Sequence, residues 1–376
     1  MESLVISYNN ISKNLYQELI DKNDQNECFS PLAIASVLTM IELGKGGETD
    51  DPKAENLGGV PIQNITKAFE ELYSKINQPS NNFILKSVSG LYSDYSVPVA
   101  QQYKQQMKNV FQAEIQTMDF AHSADDARKK INNWVEEQTD SKIKDILPED
   151  SVDSLTKLVL LNAFFFKGNW DAKFPEENTK QKPFRLSKTK TKMVPMMSQR
   201  NKFNLFHIEE LRTLMVELPF ENDDLRFIAL MPDDIEDNTT GLEQLQKELS
   251  YAKLNEWMDR MTQTEVEIEL PRFRLENNYN LKPYLSKMGM ADLFSPGKAD
   301  LRGISEADNL HVSEIFHKVI LVIDEEGTEA AAATGDIATV STRPIAEKVQ
   351  ADHPFMFIIM HTKTKSILLF GAVTSP

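Results

Sequence analysis

The sequence predicts one large α+β domain spanning residues 1–376, on three observations. Helical and strand-like stretches are interspersed without the regular βαβ alternation of a doubly wound sheet. Two apolar runs, Lys157–Phe166 and Val319–Ile323, carry bulky or β-branched residues at successive positions, the pattern of buried strands. There is no Pro/Gly/Ser-rich linker, no repeat at a fixed period and no low-complexity block, so nothing marks a boundary between domains.

Taken in order, Leu4, Tyr8, Ile11, Leu15 and Leu19 recur at intervals of three and four, which predicts an amphipathic helix. Ser30-Pro31 is a helix start, with Ser as cap and Pro at the first helical position. The residues that follow, Leu32–Ile41, are apolar on nearly every face, as in a core helix. The glycines of Gly44–Gly59 invite comparison with a phosphate loop. No strand leads into them, however, and Asp50-Asp51-Pro52 stands where a helix N-terminus is needed, so the stretch reads as a flexible acidic loop. Helices follow over Asn64–Ile76 and Pro98–Phe111, with a strand over Asn82–Tyr92 between them. Ser123 can cap a helix carrying Ala127, Ile131, Trp134 and Val135 on one stripe.

Asn162 is the polar intruder in the strand Lys157–Phe166. A buried amide needs hydrogen-bond partners, so a polar network is expected around it. Strands dominate Met193–Met231, and helices lie near Gly241–Leu249 and Ala252–Met261. Glu265–Leu270 alternates acidic with apolar residues, which predicts a half-exposed antiparallel strand. Lys282–Met288 reads as a short helix, and Phe355–Met360 with Ser366–Phe370 as a buried hairpin.

A formal charge of −16 and a pI near 5.0 argue against nucleic acid or an anionic membrane as the main partner. The basic stretch Arg185–Lys192 reads as a solvated hairpin. The single cysteine, Cys28, excludes an internal disulfide and is read as a small core residue rather than a reactive thiol. There is no basic-then-apolar leader, and no apolar run approaches the ~18 residues that span a bilayer. The expectation is a leaderless cytoplasmic protein. The sequons at Asn10, Asn64 and Asn238 would matter only on a secretory route, with unconventional secretion as the alternative. No G-x-S-x-G, H-E-x-x-H, Walker or C-x-x-C motif is present, and the six histidines show no metal-ligand spacing. No enzyme and no cofactor is predicted.

The segment Ile323–Pro344 differs from the rest of the chain. After Asp-Glu-Glu-Gly it loses all bulk, and the next long apolar run begins only at Phe355. Connections that long inside a domain are uncommon and usually functional or disordered. Ala330–Ala333 reads as a helix by propensity. Alternation favours a strand, with Thr328, Ala330, Ala332 and Thr334 on one face and Glu329 on the other.

Several segments together resemble one family, the serpins, and in particular its leaderless intracellular branch. They are Asn26–Pro31 (NECFSP), Asn162–Trp170 (NAFFFKGNW), His317–Ala333 (HKVILVIDEEGTEAAAA) and Val349–Ile359, and the resemblance covers essentially the whole chain. It implies a fold of three β-sheets and about nine helices, with an exposed reactive-centre loop at about 325–348. It also implies a monomeric suicide substrate of a serine protease, with a cysteine protease as the alternative target. The protease cleaves the loop, is held as an acyl-enzyme, and is carried along as the loop inserts into the central sheet. A strand of about a dozen residues gaining ladder bonds of ~1 kcal/mol each releases on the order of 10 kcal/mol. That rivals a domain's whole stability, so the uncleaved state would be held kinetically.

Carried over residue by residue, Gly327 is the hinge, Thr328 the first residue to enter the sheet, and Glu329, Ala330, Ala331, Ala332 and Ala333 the rest of the hinge. The absence of Pro or bulk there favours an inhibitor over a non-inhibitory chaperone, carrier or storage serpin. The scissile bond falls at Ser341–Thr342, flanked by Val340 and Arg343, and the small Ser341 suggests an elastase-like or chymotrypsin-like target. Arg343 precedes Pro344, which disfavours a trypsin-like one. Ser30, Asn162 and His317 match the family's strand-opening region, thinned by Ala33 where the family often has Ser. Trp170, Lys282 and Glu325 match positions where the loop goes in, with a Lys282–Glu325 ion pair expected. Asp336 would face the sheet after insertion, a costly place for a carboxylate. Lys67 and Lys75 are offset by Glu70 and Glu71, so no strong heparin activation is expected.

Overall fold

The computed structural model describes residues 2–19, 25–46, 53–54, 60–76, 82–237, 239–326 and 346–376. Helix α1 (Glu2–Leu19) leads into β1 (Glu27–Phe29) and α2 (Pro31–Leu43). A two-stranded ladder, β2 (Lys53–Ala54) with β3 (Val60–Pro61), precedes α3 (Ile62–Ile76). Then come β4 (Phe83–Asp94), α4 (Gln101–Phe111), β5 (Glu114–Met118), α5 (Phe120–Gln138) and β6 (Leu158–Gly168). Four strands follow: β7 (Lys180–Arg185), β8 (Thr191–Ile208), β9 (Thr213–Pro219) and β10 (Leu225–Pro232). The last third holds α6 (Glu243–Glu248), α7 (Tyr251–Asp259), β11 (Thr262–Pro271), β12 (Phe273–Asn280), α8 (Lys282–Leu285) and β13 (Glu314–Ile323). It ends with β14 (Glu347–Gln350), β15 (Phe355–His361) and β16 (Ser366–Val373).

Beside the small ladder there are two large sheets. One has five strands in the order β12-β13-β6-β4-β5. The other has nine, in the order β1-β16-β15-β10-β9-β8-β11-β14 with β7 on β8. Within the five-stranded sheet, β6 and β13 are buried on both faces, as their near-continuous apolar residues require. Leu158, Leu160, Phe164 and Phe166 of β6 join the larger core, while Val159, Leu161, Ala163 and Phe165 pack with Ala127, Ile131 and Val135 of α5. Helix α2 is buried from Pro31 to Glu42, and Ser30 Oγ accepts from the Ala33 N–H as its cap.

Eight α-helices occur among the described residues, against about nine expected. Ser123 is not the cap of α5. That role falls to Asp119, whose carboxylate accepts from the His122 N–H, and Ser123 breaks the helix from inside with φ −145 and ψ 48. In β11, Val266, Ile268 and Leu270 are buried as alternation predicts, but Glu269 is buried too. β14 covers that end of β11, and Glu269 is satisfied there by Lys182 at 2.5 Å and Gln350 at 3.1 Å.

Candidate functional site

The site is the seam between β6 and β13, where the two strands pair in parallel from Val159↔Glu314 to Lys167↔Val322. β13 ends in the five-stranded sheet, and the chain is next described beside β14, in the nine-stranded one. The segment between joins two sheets. The hinge Gly327–Ala333, the bait Val340–Arg343 and Asp336 all lie outside the described residues.

At mid-seam a polar row crosses four strands at one level. Tyr279 of β12 stands opposite His317 of β13, His317 opposite Asn162 of β6, and Asn162 opposite Ser89 of β4. His317 Nε2 accepts from the Ser30 backbone N–H at 3.0 Å, where α2 begins. That bond fixes the tautomer, because an amide N–H needs a lone pair to donate to. Asn162 Nδ2 donates to Ser89 Oγ at 2.9 Å. The Tyr279 hydroxyl reaches Glu27 Oε2 at 2.5 Å and the Cys28 carbonyl at 3.1 Å, and its ring stacks on His317. Asn162 Oδ1 and His317 Nδ1 are buried without a hydrogen-bond partner. Burial pushes the His317 imidazole down to about pKa 3, although the Asn162 backbone favours its protonated form. The partner Asn162 finds is Ser89, and its side chain bonds neither Ser30 nor His317, so these residues share a level of the sheet without forming one connected network. Ser89 and Tyr279 were missed, since only strand register reveals that they share its level.

The upper end of the seam is tied down around Trp170. The Trp170 N–H donates to the Glu326 carbonyl at 3.0 Å and its indole Nε1–H to the Asp324 carbonyl at 2.8 Å. Its ring stacks on Phe220, with centroids 4.6 Å apart. Gly168 makes room for this packing, because a Cβ there would stand 2.5 Å from the Phe220 ring. Glu325 is buried; Thr179 Oγ1 donates to its carboxylate at 2.7 Å, and Arg272 Nη1 lies 3.6 Å away. Lys167 pairs with Asp324 at 2.6 Å.

The expected Lys282–Glu325 pair is not formed. Lys282 sits at the other end of the seam, with Nζ on the Ser313 carbonyl at 2.8 Å and on Glu314 at 3.0 Å. The eight residues of β12 separate it from Arg272, roughly 26 Å of extended chain. Arg272, just before β12, occupies the place expected of Lys282. The cue was Pro271-Arg272 at the strand's start, ahead of the run that pairs with β13. The lower end is closed by Ser313 Oγ, which accepts from the Lys157 N–H at 2.8 Å.

Cys28 is buried in β1, and burial, with the Glu27 charge adding to it, pushes its thiol well up. That is the setting of an inert packing residue rather than a nucleophile. No helix among the described residues is long and apolar enough to cross a membrane.

This arrangement, a parallel seam whose far strand runs out into a segment returning to another sheet, is that of a protease-inhibitor fold. The chain belongs to the serpins, the serine protease inhibitor family, whose model matches residues 7–376. It is a protease inhibitor rather than an enzyme, and its partner is a target protease. Its relatives are clade B serpins. It is 41% identical to a leukocyte elastase inhibitor of Equus caballus over 379 residues, with all of both chains covered. It is 39% identical to serpin B10 of Homo sapiens over 401 residues, again with full coverage of both. Among solved structures, uncleaved ovalbumin superposes with a TM-score of 0.89 at 32% identity, covering 99% of this chain and 100% of that one. Maspin does so with a TM-score of 0.89 at 32% identity, covering 100% of this chain and 99% of that one.

Proposed function

We propose that this chain is an inhibitory serpin, a suicide substrate for a serine protease of elastase-like or chymotrypsin-like preference. The protease serine attacks the carbonyl carbon of the Ser341–Thr342 bond. The C–N bond breaks, the Thr342 amine leaves with a proton from the protease's own base, and Ser341 remains as an ester on the enzyme. The freed segment, with Gly327 as its hinge and Thr328 leading, enters the seam before water hydrolyses that ester. Insertion of this kind is an established property of the family.

The observation that carries the reading is the parallel pairing of β13 with β6. A chain that leaves the upper end of β13 and folds back runs antiparallel to both neighbours. It replaces one parallel ladder, slightly weaker per residue, with two antiparallel ones. The polar row supports the same reading. An incoming backbone brings a donor to Asn162 Oδ1, which is buried without a hydrogen-bond partner. On this reading Ser30, Asn162 and His317 govern strand opening, and Trp170 with Glu325 holds the place where the loop goes in.

We further read the protein as a cytoplasmic monomer without strong heparin activation, in keeping with its acidic balance. Incubation with elastase, chymotrypsin, trypsin and cathepsins should give an SDS-stable covalent complex with one of the first two. A complex only with a cathepsin of the cysteine class would move the target class. Loop cleavage without any complex across the panel would turn the assignment to a non-inhibitory serpin. Mass spectrometry of the released C-terminal fragment identifies the bond.

A further inference from the structure

Four hydroxyls, from Ser36 of α2, Tyr73 of α3 and Ser87 and Ser89 of β4, meet beside the Asn162 side of the seam. Tyr73 is 1% exposed, and its ring stacks on Phe69, whose own ring packs edge-on against Phe111. Burial raises the pKa of the Tyr73 phenol, while the hydroxyls of Ser36, Ser87 and Ser89 lower it, so all three stand close enough to act on its charge. None of them is in bonding position, however. Tyr73 Oη and Ser87 Oγ are both buried without a hydrogen-bond partner among the described residues. The other two hydroxyls are half-used. Ser36 Oγ donates to the Ala33 carbonyl at 2.7 Å, which leaves its lone pairs to accept. Ser89 Oγ accepts from Asn162 Nδ2 at 2.9 Å, which leaves its own hydrogen to give. An unpaired buried hydroxyl is costly, and here two stand in one cluster.

We propose that this cluster binds an internal water molecule, and that Tyr73 is thereby a positioning residue for the seam. Water gives two hydrogens and takes two, which is the complement the cluster needs. It accepts from the Tyr73 and Ser89 hydroxyls and donates to Ser87 Oγ and Ser36 Oγ. Buried waters make about three such bonds each, to groups that other protein atoms leave unpaired. The link runs on from Ser89 to Asn162 in one direction, and from Ser36 to the first turn of α2 in the other. That turn follows Ser30, whose N–H holds His317. Both sides of the seam are then anchored on α2, β13 through His317 and β6 through Ser89 and the water. Tyr73 acts at a distance: it fixes the water, the water fixes the rotor of Ser89, and Ser89 fixes the Asn162 amide. The water site stands without the insertion reading; the role of Tyr73 at the seam rests on it.

A crystal structure of the uncleaved protein, refined far enough to place solvent, tests the site itself. The expected result is an ordered water within hydrogen-bonding distance of Tyr73 Oη and Ser87 Oγ, lost in Tyr73→Phe, which keeps the ring. The positioning role is read from the rate at which a peptide copying Gly327–Thr342 enters the protein. Tyr73→Phe should speed entry severalfold in the wild type and have no effect in a Ser89→Ala background, where the link is already cut. No solvent density there, or a direct bond from Tyr73 to one of the serines, overturns the site. Unchanged entry in Tyr73→Phe, or equal acceleration in both backgrounds, overturns the positioning role, because a general loosening of α3 would act in either background. A peptide that enters none of these proteins overturns the insertion reading and the role with it, while the solvent density still decides the water site.

Discussion

His317 and Asn162 stand opposite one another in the β13–β6 ladder, yet their side chains hydrogen-bond away from each other. His317 Nε2 takes the Ser30 N–H at 3.0 Å, and Asn162 Nδ2 gives its hydrogen to Ser89 Oγ at 2.9 Å. No side-chain-to-side-chain bond joins the two across the seam, so each half of the sheet keeps its own polar partners when the halves part. A seam built this way separates at the cost of ladder bonds that an inserted strand can replace.

The depressed pKa of His317 makes stability depend on pH. Its folded value of about 3 lies below the ordinary 6.5, because burial disfavours the charged ring. Between those limits the unfolded chain binds more protons than the folded one. The contribution is fully present above about 6.5 and is lost as pH falls towards 3, with a slope of up to ~1.4 kcal/mol per pH unit. His317→Gln retains an acceptor for Ser30 and should flatten the dependence of the urea midpoint between about pH 7 and about pH 4. An unaltered slope in that variant would exclude His317 as the group responsible.

The upper end of the seam should be sensitive to Arg272 and indifferent to Lys282. Arg272→Ala removes a charge 3.6 Å from the buried Glu325, whereas Lys282 bonds only at the lower end. A synthetic peptide copying Gly327–Thr342 should therefore enter the Arg272→Ala protein faster than the wild type. Entry into Lys282→Ala should match the wild type within about a factor of two, since a half-exposed pair such as Lys282–Glu314 contributes at most ~1 kcal/mol. Equal acceleration by both would show that Glu325 is not what restrains the opening.

On the insertion reading, Thr328→Arg puts a long charged side chain on the residue that enters the sheet first, where an unpaired charge taken out of water is very costly. The loop should still be cut by elastase or chymotrypsin, but the SDS-stable complex should vanish. Retained inhibition would sink the insertion reading.

On the same insertion reading, Asp336 enters the sheet late. A carboxylate turned to the sheet should slow the end of insertion and divert part of the protein into simple cleavage. Asp336→Ala should lower the number of inhibitor molecules consumed per protease inactivated without changing which bond is cut. An equal or higher stoichiometry would remove Asp336 as a brake.

Heparin should leave the rate of inhibition unchanged. On α3, Lys67 is exposed and its acidic neighbours Glu70 and Glu71 are exposed with it, leaving no basic stripe. A large acceleration by heparin would contradict this.

Much of the fold was legible in the chain. The cap at Ser30, the all-apolar α2, the doubly buried β6 and β13 and the closing hairpin each follow from local composition, because burial on every face demands apolar residues at every position. The site was only partly legible. Asn162 announced itself as a polar residue in an apolar strand, whereas Ser89 and Tyr279 are ordinary residues until strand register aligns them. Lys282 was assigned to the wrong end of the seam because its neighbourhood in sequence says nothing about which end of β12 faces Glu325.

By itself, the sequence determined many of the strands and helices, and that a long segment of small side chains follows β13. These are consequences of periodicity and side-chain volume, which act over a few residues. Only the tertiary structure decided that β13 and β6 pair in parallel, that His317 reaches Ser30, and that Arg272 rather than Lys282 attends Glu325. Each of those relations joins residues far apart in the chain. Their positions depend on strand order and register, which the packing of the whole core fixes and no local pattern encodes.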